Sequence, residues 1–266
     1  MKYHEMIEEQ MKKRRKRKSI ITTIIVMLLP ALFLLLYQPF NFYLKDPHVI
    51  EKAQAVAQEN YKESTIKSNE KWLESVWNQT DKDEYGDLIE TQEMADNNLT
   101  YDWSQVKLID SIPTGATVNK FLYRGQLFIP DINMNLPIVE GVSNENLYTG
   151  ASTMKPNMKL GQDNYAVAGH LMPDPNTLFS PLKRAEKGMH IYATDKEKVY
   201  IYEIEKIEYV DPSQIGWIDD VENETLITLV TCGTLDGASR LIVQGSFVKS
   251  QSIGSFEKDL TENYIY

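Results

Sequence analysis

From Ser19 to Leu44 the chain carries no charged residue, and Ile20–Tyr37 is apolar apart from Thr22 and Thr23. About 20 such residues span a bilayer core as a helix. The run Lys12-Lys13-Arg14-Arg15-Lys16-Arg17-Lys18 stands directly before it. Basic residues collect on the cytoplasmic side of a span, so the N-terminus is expected inside and everything beyond about residue 45 outside. Pro30, in mid-span, is tolerated there with a kink. A cleaved signal peptide is the rival reading. Its apolar run is shorter and ends in small residues, whereas this one ends Tyr37-Gln38-Pro39-Phe40. The expected organisation is a cytoplasmic basic tail (1–18), a single-pass transmembrane signal-anchor (19–44), an extracellular stalk (45–102), a folded domain (103–250) and a polar tail (251–266). The place of such a chain is the cell membrane.

The charge distribution agrees. Of 28 Lys and Arg, eight fall in residues 1–18 beside only three of the 38 Asp and Glu, so the rest of the chain is strongly acidic. An acidic body excludes nucleic acid as the natural partner, because phosphate binding draws on clustered cations. In the stalk, Val49, Ile50, Ala53, Val56 and Ala57 recur at helical spacing, as do Leu73, Val76 and Trp77. Residues 80–99 turn acidic and polar, and predict a flexible spacer.

Beyond Trp103 the pattern changes to short strands between turns. Gln126–Pro130, Leu136–Val139, Tyr165–Ala168, Met189–Tyr192, Val199–Val210, Leu226–Thr231 and Leu241–Val248 predict strands. In the longest, Val199 and Ile201 face one way and Tyr200, Tyr202 and Ile204 the other. Helical pattern is sparse, at Asn144–Tyr148 and Phe179–Ala185. The fold class is all-β, a sandwich or barrel.

Cys232 is the only cysteine, so the exported part has no internal disulfide. Most single cysteines are small buried hydrophobes. This one ends a strand and precedes Gly233, which puts it at a sheet rim. Gly169-His170 ends another strand, and Arg240 opens the next strand after Cys232, eight residues on. Each group has a use beside a thiol. A thiolate is the nucleophile. An imidazole takes its proton and returns it to a leaving amine. A guanidinium stays charged and suits an oxyanion. A membrane-anchored nucleophilic enzyme is the leading reading. A secreted cysteine hydrolase and a non-enzymatic surface scaffold with a buried thiol are the alternatives.

Thr228-Leu229-Val230-Thr231-Cys232 resembles the T-L-x-T-C signature of sortases, the Gram-positive cell-wall sorting transpeptidases. Ala168-Gly169-His170 resembles the segment around their histidine, and Arg240 with Leu241-Ile242-Val243 their arginine strand. The resemblance covers about 103–248. Leu136–Val139, Tyr148-Thr149-Gly150, Thr153-Met154-Lys155 and Leu178–Leu182 resemble streptococcal-type class A members. The resemblance implies an eight-stranded β-barrel and an L-P-x-T-G sorting signal cleaved between Thr and Gly through a thioacyl-enzyme on Cys232. It implies transfer of the surface protein to an amine of lipid II or peptidoglycan, with His170 as acid and base and Arg240 on the substrate. Thr231 would join the same site. The signal's Leu and Pro would be walled by Ile215, Trp217 and Ile218 and floored by Val230 and Ile242. Some class A members bind calcium through acidic residues. The matching positions here are Lys155, Met158 and Gln162, so neither calcium nor another cofactor is expected, and Lys155 can stand in for the metal's charge.

Overall fold

Every strand expected from the alternation forms, and an eighth joins them to close a barrel. The computed structural model describes residues 62–84, 86, 88–103, 106, 121–256, 258, 260, 264 and 265. The anchor expected over 19–44 lies outside them, and among the described residues no helix is long and apolar enough to cross a membrane. The strands are β1 (Tyr123–Ile129), β2 (Met134–Val139), β3 (Ala151–Thr153), β4 (Asn164–Ala168), β5 (His190–Thr194), β6 (Lys198–Val210), β7 (Leu226–Cys232) and β8 (Arg240–Ser252). Around the barrel they run β1-β2-β3-β4-β7-β8-β6-β5. Two neighbouring pairs are parallel, β2 with β3 and β4 with β7; the rest are antiparallel. β3 escaped the sequence reading because three residues are too few to display a period of two.

Side chains fill the interior, as they do in a barrel of eight strands. Leu127, Ile138, Tyr165, Ile191, Tyr202, Leu229 and Val243 belong to that core. The expected two-faced pattern of β6 holds: Tyr202 and Ile204 join the core, while Val199 and Ile201 join a second cluster with Phe128 and Phe256. β6 also breaks register between Ile201 and Tyr202 and between Ile204 and Lys206, bulges that bend a long strand around the barrel.

The segment expected as a stalk and flexible spacer is instead, from residue 63 on, a packed cover. Helix α1 (Glu63–Gln79) buries Ile66, Leu73, Val76 and Trp77, one apolar stripe on an otherwise polar cylinder. Burying each such side chain is worth about 1.5–3 kcal/mol, and such packing, more than propensity, is what holds a helix in place. Ile66 packs on Tyr123 and Val139 of the barrel. Leu73, Val76 and Trp77 pack on Met94 and Leu99, within the acidic stretch that the sequence read as unstructured. Met94 lies on helix α2 (Gln92–Asp96), whose N-terminus Thr91 caps by accepting from the Met94 N–H at 3.3 Å. The acidic residues face water while two apolar ones hold the segment down.

The polar tail is likewise no free tail. Phe256 packs edge-on against Phe128 at 6.3 Å, and Tyr264 stacks on Phe128 at 5.5 Å. Asn135 Nδ2 donates to the Tyr264 carbonyl at 3.0 Å.

Candidate active site

Strand pairing brings together three residues that the sequence keeps apart. β4 lies parallel to β7 with Ala166 opposite Thr228 and Ala168 opposite Val230. The ladder continues past the strand end, where the Gly169 N–H donates to the Val230 carbonyl at 3.1 Å. His170 and Cys232 each follow two residues after the Ala168–Val230 pair, so both stand at the rim where β4 and β7 end. β7 runs antiparallel to β8 with Cys232 opposite Arg240. The three candidate residues therefore stand at the same end of three adjacent strands.

Local packing fixes each one. A Cβ at Gly169 would come within 2.3 Å of the Phe179 ring, and one at Gly233 within 2.3 Å of the Ser239 hydroxyl. The Gly169 turn therefore needs glycine to let the chain pass so close to the ring, while at Gly233 the Ser239 side chain would have to turn away. Thr231 points to the opposite face from Cys232, is buried, and donates to the Gly169 carbonyl at 2.8 Å. It braces the turn carrying His170. Tyr148, on helix α3 (Asn144–Thr149), lies against the imidazole with ring centroids 4.7 Å apart. The aromatic support of the histidine was not legible in the sequence.

The electrostatics favour neutral partners at rest. His170 is buried, its Nε2 has no hydrogen-bond partner among the described residues, and burial lowers its pKa to about 4. Burial likewise raises the Cys232 thiol above its ordinary 9.0; the Arg240 charge opposes that rise and Asp236 adds to it. Arg240 Nη1 donates to the carbonyls of Gly237 at 2.9 Å and Ser239 at 3.3 Å, so the loop after Cys232 aims the guanidinium. Alkylation of Cys232 by iodoacetamide should therefore be slow at pH 7 and keep climbing through pH 9.0, because the thiolate reacts and the thiol does not. A rate that levels off by pH 7 would contradict this.

The expected substrate residues divide. Ile215, Trp217 and Ile218 form a 3-10 turn between β6 and β7. Ile215 is 74% exposed, while Trp217 and Ile218 pack partly on the core. Val230 and Ile242 pair across β7 and β8 on the face that carries Cys232 and Arg240. They are only 8% and 2% exposed, so Val230 offers little surface and Ile242 almost none.

That loop is held by a residue the sequence reading missed. Asn164 Nδ2 donates to the carbonyls of Trp217 and Asp219, both at 2.9 Å, and its Oδ1 accepts from the Thr228 hydroxyl at 2.7 Å. An Asn within an otherwise apolar strand was the available signal, since strands disfavour it. Asp220 Oδ1 accepts from the Asn164 N–H at 3.2 Å and pairs with Lys155 Nζ at 2.5 Å. Burial pushes that carboxyl up, but the two hydrogen bonds more than offset it and hold it below its ordinary value. Met158 is buried, with its carbonyl accepting from Arg124 at 3.1 Å, and the Gln162 N–H donates to the Lys159 carbonyl.

Comparison with known proteins agrees with this arrangement. Residues 127–248 match the family model described as Sortase domain. The chain is 39% identical over 176 residues to sortase A of Streptococcus agalactiae, covering 63% of this chain and 71% of that protein. It is 31% identical to sortase A of Listeria monocytogenes, covering 64% and 76%. A solved structure of the Listeria monocytogenes enzyme superposes with a TM-score of 0.49 at 32% identity, over 53% of this chain and 94% of that one. The class this defines is a cysteine transpeptidase on a closed β-barrel. The chain belongs to the sortase family, and within it is class A-like.

Proposed function

We propose that this chain cleaves an L-P-x-T-G sorting signal between Thr and Gly and joins the Thr carboxyl to an amine of lipid II or peptidoglycan. The observation that supports this reading is the register that pairs Cys232 with Arg240 and ends β4 opposite Val230, two residues before both His170 and Cys232. With both groups neutral at rest, attack and proton transfer are coupled. Cys232 Sγ bonds to the Thr carbonyl carbon as its proton passes to His170. Arg240 steadies the oxyanion with a fixed charge. The C–N bond then breaks, and His170 delivers the proton to the departing Gly amine. An incoming amine attacks the thioacyl carbon, gives its proton to His170, and releases Cys232. The wall for the signal's Leu and Pro is the Ile215–Ile218 turn, with Val230 as floor. Anchoring through 19–44 would keep this site outside the cell, beside a lipid-borne acceptor.

Calcium has no role in the proposed reaction. The Lys155–Asp220 pair ties the 155–162 loop to the wall loop, which supplies in a side chain the charge that a bound cation would bring.

The experiment is mass spectrometry after incubation with an L-P-x-T-G peptide, with and without an amine acceptor, in calcium and in chelator. A thioacyl adduct on Cys232, an amide product only with amine, and equal rates in calcium and chelator are expected. Hydrolysis indifferent to the amine would favour a simple cysteine hydrolase.

A further inference from the structure

We propose that the cavity between Lys206, Gln244 and Trp217 is a subsite for an acidic residue standing immediately before the Leu of the sorting signal. This rests on the sorting-signal reading above. The cavity measures about 290 Å³ and is lined by Lys206, Gln214, Gly216, Trp217, Val221 and Gln244.

Its place follows from the strand register. Arg240, Ile242 and Gln244 share one face of β8, and β6 sets Val210, Glu208 and Lys206 opposite them in turn. On β7 the partners are Cys232, Val230 and Thr228. Rows on one face repeat every about 6.6 Å, so the Lys206–Gln244 row lies about 13 Å from the Cys232–Arg240 row. An extended peptide advances about 3.3 Å per residue. With its Thr carbonyl at Cys232 and its chain running toward the wall loop, its Leu lies about 10 Å away and the preceding residue about 13 Å away. Trp217 of that loop lines the cavity together with Gln244, so loop and cavity meet at the same end of the groove.

The polar lining has a fixed polarity. Thr228 Oγ1 donates to Asn164 Oδ1 at 2.7 Å and accepts from Gln244 Nε2 at 2.9 Å, and Gln244 Oε1 accepts from Lys206 Nζ at 3.2 Å. The chain starts from the buried Asn164 and turns the oxygen of Gln244 outward, where it holds the ammonium over the cavity. Lys206 makes no ion pair among the described residues. Its charge therefore meets only a neutral amide, and a ligand carboxylate would complete it. Glu208 stands one row nearer Cys232 on the same face, so it repels an acid placed closer to the scissile bond and sharpens the position at which one is welcome.

The test is kcat/KM for thioacyl formation by the purified full-length chain in detergent. Three peptides carry Glu, Gln or Lys before an otherwise constant L-P-x-T-G. A solvent-accessible ion pair predicts about a threefold advantage for Glu over Gln, with Lys slowest, and a smaller spread at high salt. Lys206→Met should level the three, and Lys206→Glu should reverse their order. Equal rates in the unaltered chain, or an order unchanged in Lys206→Glu, would overturn the subsite. Failure of all three peptides to acylate Cys232 would instead overturn the sorting-signal reading on which it rests.

Discussion

Cys232→Ala should leave no thioacyl-enzyme at all, and His170→Ala and Arg240→Ala should each lower kcat/KM by about 10²–10⁴-fold. The three losses have different physical origins. Without sulfur there is no bond to the Thr carbonyl. Without the imidazole the thiol has no acceptor for its proton, and burial already holds that thiol in its neutral form. Without the guanidinium the site loses both the stabiliser of the oxyanion and the charge that favours the thiolate. Arg240→Lys separates these two effects. It keeps the charge but not the fixed donors that Gly237 and Ser239 orient, so it should restore thiol reactivity more fully than turnover. Single-turnover kinetics with a sorting-signal peptide, alongside alkylation rates, measures both. A near-normal rate in His170→Ala or Arg240→Ala would remove that residue from the reaction.

Glu140→Gln should destabilise the fold by about 3–5 kcal/mol, a large share of the ~5–15 kcal/mol that holds a domain together. Glu140 Oε2 lies 3.4 Å from Arg124 Nη1, with both side chains almost wholly buried. Its Oε1 accepts from the Tyr101 hydroxyl and the Thr153 hydroxyl, each at 2.7 Å. Arg124 also lies over the Trp77 ring, 5.5 Å from its centroid. The pair thus joins β1, the end of β2, β3 and the helical cover. Neutralising Glu140 leaves a buried guanidinium whose main countercharge is gone; Glu70, 3.6 Å away and half exposed, is the remaining one. Urea unfolding checks the loss, read as a lower midpoint at unchanged slope. A change below ~1 kcal/mol would mean that Glu70 or water replaces Glu140 at little cost.

Sequence patterning reached far into the barrel because strands of five or more residues display their period of two and their turns. It reached the candidate catalytic residues because a lone thiol, an imidazole and a guanidinium at strand mouths are chemically distinctive, and because Thr228–Cys232 carries a family signature. It failed where burial comes from a distant partner. Residues 80–99 look solvated until Met94 and Leu99 find the α1 stripe. The tail looks polar until Phe256 and Tyr264 find Phe128. Nothing local shows that the Thr231 hydroxyl braces Gly169 on a neighbouring strand.

By itself the sequence determined the all-β class, the acidic body, and the candidates for a nucleophile and its two partners. These depend on composition, local alternation and side-chain chemistry, all of which belong to neighbouring residues. Only the tertiary structure decided that β4 and β7 end together just before His170 and Cys232, that Asn164 holds the wall loop, and that α1 is latched to the barrel by Arg124 and Glu140. Each of these depends on strand register or burial between residues tens of positions apart, and no local pattern encodes which distant strand will pair.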